Sequence, residues 1–210
     1  PPPPGCPTSS SASFETIPFT GASADDHPDY LHGDLNLSLR GYAVASASLN
    51  LVDYSGGVDG GAPQLAGLFS PNQYPGISAA YQVNDWNWAC GTDGCRGDPL
   101  TVWPTTLIGL QTTPGQAVSI PERNAEIYGG GYIAIVLYAE ERRLTLGYTR
   151  DDTVANGYAV HLENVCVDPN LLALYQAQVD ANGWRSTGKL PALKNNQTLG
   201  VAFGEEIQAT

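Results

Sequence analysis

The chain has 210 residues, among them 24 glycines and 16 prolines, and carries a formal net charge of −12. Only 14% of its residues are charged, against roughly 25% in an average domain. The negative sign argues against nucleic acid and against anionic lipid held by a basic patch. A surface so poor in charge needs hydroxyls and amides, attached glycans or burial in an assembly to stay in solution.

Residues 1–20 read as a Pro/Ser-rich extended linker. The opening prolines favour a stiff polyproline II spacer. Residues 21–210 read as one β-rich domain, with Gly/Pro/Asn/Asp clusters between short apolar runs. The chain contains no Met and opens on no signal peptide, and Ile207 sits in what reads as a strand cut short. The expectation is a processed segment of a longer protein, truncated at its C-terminus.

Residues 21–34 concentrate Asp25, Asp26, His27, Asp29, His32 and Asp34. The sharp expectation is a metal site, with zinc on His27, His32 and Asp34, or calcium on the carboxylates. The competing expectation is a solvated acidic loop closed by His27-Pro28. Leu35, Leu37 and Leu39 alternate with Asn36 and Ser38, the pattern of a half-buried strand. Strand is expected to continue over 42–54. A short apolar run over 65–69 precedes Pro71.

Residues 77–83 read as a strand leading into the loop NDWNWACGTDGCRGDP. Trp86 and Trp88, two apart, face the same side of an extended segment. Asp85 and Asn87 flank them, and Trp103 follows. Rings beside carboxylates and amides are what a glycan site requires. The alternative is that the rings pack on a disulfide and close one end of the core. Residues 107–110 and 117–120 read as short strands.

The segment 128–150, YGGGYIAIVLYAEERRLTLGYTR, organises the fold. It alternates with period two on either side of a charged turn. Its first strand is apolar on both faces, so it is expected to lie central and covered on both sides. A third strand over 158–167 carries His161 and Cys166. One helix is expected near 169–181, with Asp168 as its N-cap, Pro169 at its first position and Asn182-Gly183 at its end. The tail reads as turn, strand, turn, strand. Asn196 opens a glycosylation sequon in a turn, and Asn36 opens another.

Cys90 and Cys95 enclose a turn-rich GTDG, which lets their Cα atoms reach the ~5.5 Å of a disulfide. Cys6 and Cys166 are then left to each other. Two bridges imply an oxidising compartment; free buried thiols are the alternative. The fold class expected is all-β, a β-sandwich or related β-fold.

From Gly129 onward the order of elements resembles the lysostaphin-like zinc endopeptidases, which have a β-rich duplicated-hybrid fold. GGGYIAIVLYAEERRLTLGYTR is similar to that family's strand–turn–strand, and LKNNQTLGVAFGEEIQAT to its later segment ending in an H-x-H strand. The resemblance covers the C-terminal third and implies a duplicated-hybrid-like β-fold without the zinc. Glu206-Ile207-Gln208 stands where H-x-H would fall, and no H-x-x-x-D is present. As a whole the chain resembles uncharacterised secreted proteins of filamentous green bacteria.

There is no G-x-S-x-G and no phosphate loop. The function expected is a non-catalytic extracellular structural or adhesive domain on a cell surface or in a filament or sheath. It needs no cofactor, and its partners are copies of itself, other surface proteins or glycans. The alternatives are a glycan-binding module built on the Trp-rich loop and an atypical metal-dependent cell-wall hydrolase.

Overall fold

A computed structural model describes residues 5–21, 26–50, 59–70, 73, 75–102 and 106–210. Among the described residues, thirteen strands lie in two antiparallel sheets: β1 Glu15–Pro18, β2 Tyr42–Ala45, β3 Ile77–Asn87, β4 Cys95–Pro99, β5 Thr106–Gln111, β6 Ala117–Ser119, β7 Tyr132–Glu140, β8 Arg143–Gly147, β9 Ala159–Glu163, β10 Val165–Val167, β11 Lys189–Lys194, β12 Thr198–Ala202 and β13 Glu206–Ala209. The large sheet runs β1-β11-β7-β8-β9-β13-β5-β3-β2, with β4 paired to the outer half of β3. The small sheet runs β10-β12-β6. This is the all-β class expected.

β7 takes its central place because Ile133 to Ala139 are all buried. Such a strand needs cover on both faces. Apolar side chains of both sheets and of α2 (Pro169–Gln176) join one core with β7 at its heart. Asp168 caps α2, its Oδ1 accepting from Asn170 N at 2.8 Å. The helix stops at Gln176 rather than near 181. There Val179 pairs with Arg185, and Asp180 Oδ1 accepts from Asn182 N and Trp184 N at 2.8 and 3.0 Å. Asn182-Gly183 thus belongs to a separate turn that returns Arg185 to the core.

Three further sequence expectations change. Residues 35–39 are not a strand: Leu37–Arg40 is a one-turn helix, α1. Ser38 Oγ donates to Asn36 Oδ1 at 2.6 Å, and Asn36 Nδ2 to Tyr30 O at 3.0 Å. The polar half of the alternation folds the chain back on itself, while Leu35 and Leu37 stay buried. The 158–167 strand breaks at Asn164, whose φ is 59°, so β9 and β10 lie in different sheets. The 65–69 run holds a 3-10 turn, Leu65–Leu68. Of the strand expected over 42–54, β2 forms, and 51–54 lie outside the described residues.

Within the 1–20 segment, the described part is fastened to the body. Cys6 and Cys166 form a disulfide with Cα atoms 5.4 Å apart. Asn170 Nδ2 donates to Ala12 O at 2.8 Å, and β1 pairs with β11. No helix among the described residues is long and apolar enough to cross a membrane.

Candidate functional site

The Asp/His segment and the Trp-rich segment meet in space. The second is not an irregular loop: β3 continues through Trp86 to Asn87 and turns into β4. The Cys90–Cys95 disulfide, Cα atoms 5.5 Å apart, staples the turn. Gly91 and Gly94, at φ 70° and 85°, supply the left-handed backbone it needs. Arg96 Nε donates to Leu39 O at 2.9 Å and fixes the hairpin to α1.

Trp86 stands inside this joint. A Cβ on Gly33 would come within 2.6 Å of its Cδ2 and Cγ, and one on Gly94 would overlap its Nε1. Its Nε1 is buried with no hydrogen-bond partner among the described residues. Trp86 is therefore half-buried, its ring hemmed in by Gly33 and Gly94, and it offers a sugar less surface than Trp88 does. Trp88 is the outer ring, 39% exposed, with its centroid 4.9 Å from both His27 and His32. Asp85 and Asn87 are exposed, but each satisfies its own turn. Asp85 Oδ1 accepts from Trp86 N at 2.8 Å and Asn87 Oδ1 from Ala89 N at 3.0 Å. Trp103 lies outside the described residues.

Asp26 sits between the histidines, Oδ2 at 3.2 Å from His27 Nδ1 and Oδ1 at 3.4 Å from His32 Nε2. The His27 contact is off the hydrogen-bond line, so it is an electrostatic approach. Burial, the largest influence, lowers the His32 pKa against the pull of Asp34 and Asp26. Potential ligand atoms of Asp26, His27 and His32 lie within 4.8 Å of one another.

The donor set nevertheless fits zinc poorly. His32 Nδ1 accepts the Asp34 N–H at 3.2 Å, which puts the ring proton on Nε2, the atom facing Asp26. A ligating imidazole has the opposite arrangement, with the remote nitrogen donating. Asp34, the carboxylate that spacing suggested, is turned away into an ion pair with Arg40. The calcium set is dispersed too: Asp29 is buried against Arg185, and Asp25 lies outside the described residues. Micromolar zinc is therefore expected to leave the melting temperature within about 1 °C, whereas site saturation at 100 Kd would add about 2.7 kcal/mol. A zinc-induced rise of several degrees that His32→Ala removes would restore the metal reading.

Beneath the joint, the sequence gives no sign of a second arrangement. Thr145 on β8 faces His161 on β9. Thr145 Oγ1 lies 2.8 Å from His161 Nδ1 and donates to Leu35 O at 2.6 Å. Burial holds the His161 pKa down to about 4, with Arg40 acting in the same direction. The imidazole is therefore neutral at physiological pH. A cavity of about 240 Å3 opens here, with His161, Asp34 and Arg40 in its walls. Finding this pair requires the β8–β9 register, which no local pattern encodes.

Of the two sequons, Asn36 is buried and Asn196 is exposed in the β11–β12 turn. No family model, no curated protein and no solved structure matches this chain.

Proposed function

We propose that this is a non-catalytic extracellular β-domain whose role is structural or adhesive. It works by associating with copies of itself on a cell surface or within a filament or sheath. The two disulfides support an oxidising compartment. At the place where the resemblance would put catalytic ligands, Ile207 and Gln208 are buried, and Glu206 accepts from Ser78 Oγ and from Tyr81 Oη. Those donors are engaged in holding β13 to β3.

The observation that carries the reading is the β2 edge of the large sheet. Asn84 N donates to Gly41 O, and the register pairs Ala43 with Gln82 and Ala45 with Ala80. The N–H and C=O of Tyr42 and Val44 therefore point outward. Val44 is 78% exposed. Residues 42–50, YAVASASLN, contain no charge, proline or glycine. Proteins that stay monomeric usually guard such an edge with lysine, proline or a bulge. The opposite edge, β1, carries Glu15 and Pro18. Antiparallel β2–β2 pairing between two copies gives a closed two-fold dimer, and a filament or sheath would join such dimers through other surfaces.

Light scattering from micromolar to millimolar protein tests this. Wild type is expected to gain mass with concentration, and Val44→Lys, at a site that touches no core, is expected to raise the dissociation constant at least tenfold. A wild type that stays monomeric throughout would overturn the reading.

Glycan binding is the second reading, favoured by the exposed Trp88 ring in the rigid, disulfide-stapled joint.

A further inference from the structure

The cavity below α1 has walls of three kinds. Leu37, Val83 and Val154 are apolar, Asp34 and Arg40 form an ion pair, and His161 also lines it. Proton counting settles what His161 presents. Thr145 has one hydroxyl proton and gives it to Leu35 O. Its 2.8 Å contact with His161 Nδ1 then requires the imidazole to donate. The ring proton is on Nδ1, and Nε2 carries a lone pair. Among the described residues no hydrogen bond uses that lone pair.

Arg40 is held by three hydrogen bonds, Nε to Gly33 O at 2.8 Å, Nη1 to Asn84 O at 3.4 Å and Nη2 to Asp34, and its Nη1 lies 4.0 Å from Asp85 Oδ1. Its charge is matched by Asp34, so the cavity favours a neutral guest. The guest must bring protons for a neutral imidazole and a carboxylate, and C–H surface for the leucine and valine wall. Its volume of about 240 Å3 lies below the ~300–1,000 Å3 of drug-sized sites, which suits one ring.

We propose that this cavity binds a single neutral pyranose, the end unit of a glycan, with His161 Nε2 and Asp34 accepting from its hydroxyls and Leu37, Val83 and Val154 meeting its C–H face. This rests on the glycan-binding reading and places the sugar in the cavity instead of on the exposed Trp88 ring; it is independent of association through β2.

The test is titration of the full chain with the methyl glycosides of glucose, galactose, mannose and N-acetylglucosamine, followed by NMR or calorimetry. One of them is expected to bind with Kd of about 1 mM, near 4 kcal/mol. Val154→Phe, which fills the cavity from its apolar wall, is expected to weaken binding more than tenfold at unchanged melting temperature. Trp88→Ala is expected to change it less than threefold. Should Val154→Phe fail to fold, Asp34→Asn supplies the same comparison, with an expected loss of at least fivefold. No binding of any of the four up to about 50 mM would overturn the inference. Binding that Trp88→Ala abolishes and Val154→Phe spares would also overturn it, while leaving the surface glycan reading in place.

Discussion

Arg185→Met is expected to cost about 3–5 kcal/mol at pH 7.5, the range for removing one partner from a buried ion pair. Among the described residues, Arg185 is the cation that faces two buried carboxylates, Asp29 and Asp152. Its Nε lies 3.1 Å from Asp29 Oδ2 and its Nη1 2.6 Å from Asp152 Oδ2, with all three side chains nearly inaccessible. Its Nη2 also donates to Leu137 O of β7 at 2.7 Å. Tyr175 Oη on α2 donates to Asp29 at 2.6 Å. The group thus ties together α2, β7, the Asp29 turn and the 177–186 turn.

The pH dependence identifies the cause. Burial, the largest influence, raises the Asp29 pKa to about 6; Arg185 and Tyr175 oppose it, and Asp152 adds to it. A folded pKa above the unfolded value means that stability is fully present below about 3.8 and lost as pH rises through about 6, by roughly 3 kcal/mol. Without the guanidinium, which opposes the rise, Asp29 prefers still more strongly to be protonated. The difference between Arg185→Met and wild type is therefore expected to shrink by at least half between pH 7.5 and pH 5. Parallel denaturant titrations at the two pH values measure this directly. A difference that stays constant with pH would assign the loss to packing alone.

The second large effect concerns the Cys6–Cys166 disulfide, which closes a sequence separation of 160 residues. Loop-closure entropy for that length is worth about 5 kcal/mol, within the usual 2–5 for native bridges. Cys6→Ala/Cys166→Ala is expected to lose 3–5 kcal/mol and to free residues 5–14, which otherwise depend on contacts such as Ser10 Oγ to Asp168 Oδ2 at 2.5 Å. The Cys90–Cys95 bridge closes only a separation of 5, so Cys90→Ala/Cys95→Ala is expected to cost much less globally. Its effect belongs to the hairpin tip, where the Trp88 ring should lose its fixed position against His27 and His32. Equal losses from the two double variants would contradict this ordering.

What the sequence made legible follows the range of each interaction. The β7–β8 hairpin is written in period-two alternation, and its two-faced burial in the unbroken apolar run. The disulfides follow from an even count and one short turn-rich interval. Short-range capping gave the start of α2, but its end depends on Arg185 returning to Asp29 and Asp152, partners far away in the chain. At 35–39, alternation of leucines was compatible with strand and with a tight helical turn, and side-chain bonds of Asn36 and Ser38 decided it. The histidine group needed Asp26 in place of Asp34, because Arg40 claims Asp34. His161 and Thr145 could be paired only with the strand register in hand, and the roles of Trp86 and Trp88 diverge only because Gly33 and Gly94 cover one ring.

Association through β2 is tested most directly by amide exchange at Tyr42 and Val44 as a function of protein concentration. Their N–H groups face outward, whereas those of Ala43 and Ala45 face β3. Exchange at Tyr42 and Val44 is expected to slow at least tenfold between micromolar and millimolar protein, with Ala43 and Ala45 unchanged. Fast exchange at Tyr42 and Val44 at every concentration, in a protein whose mass remains that of one chain, would contradict self-assembly through this edge.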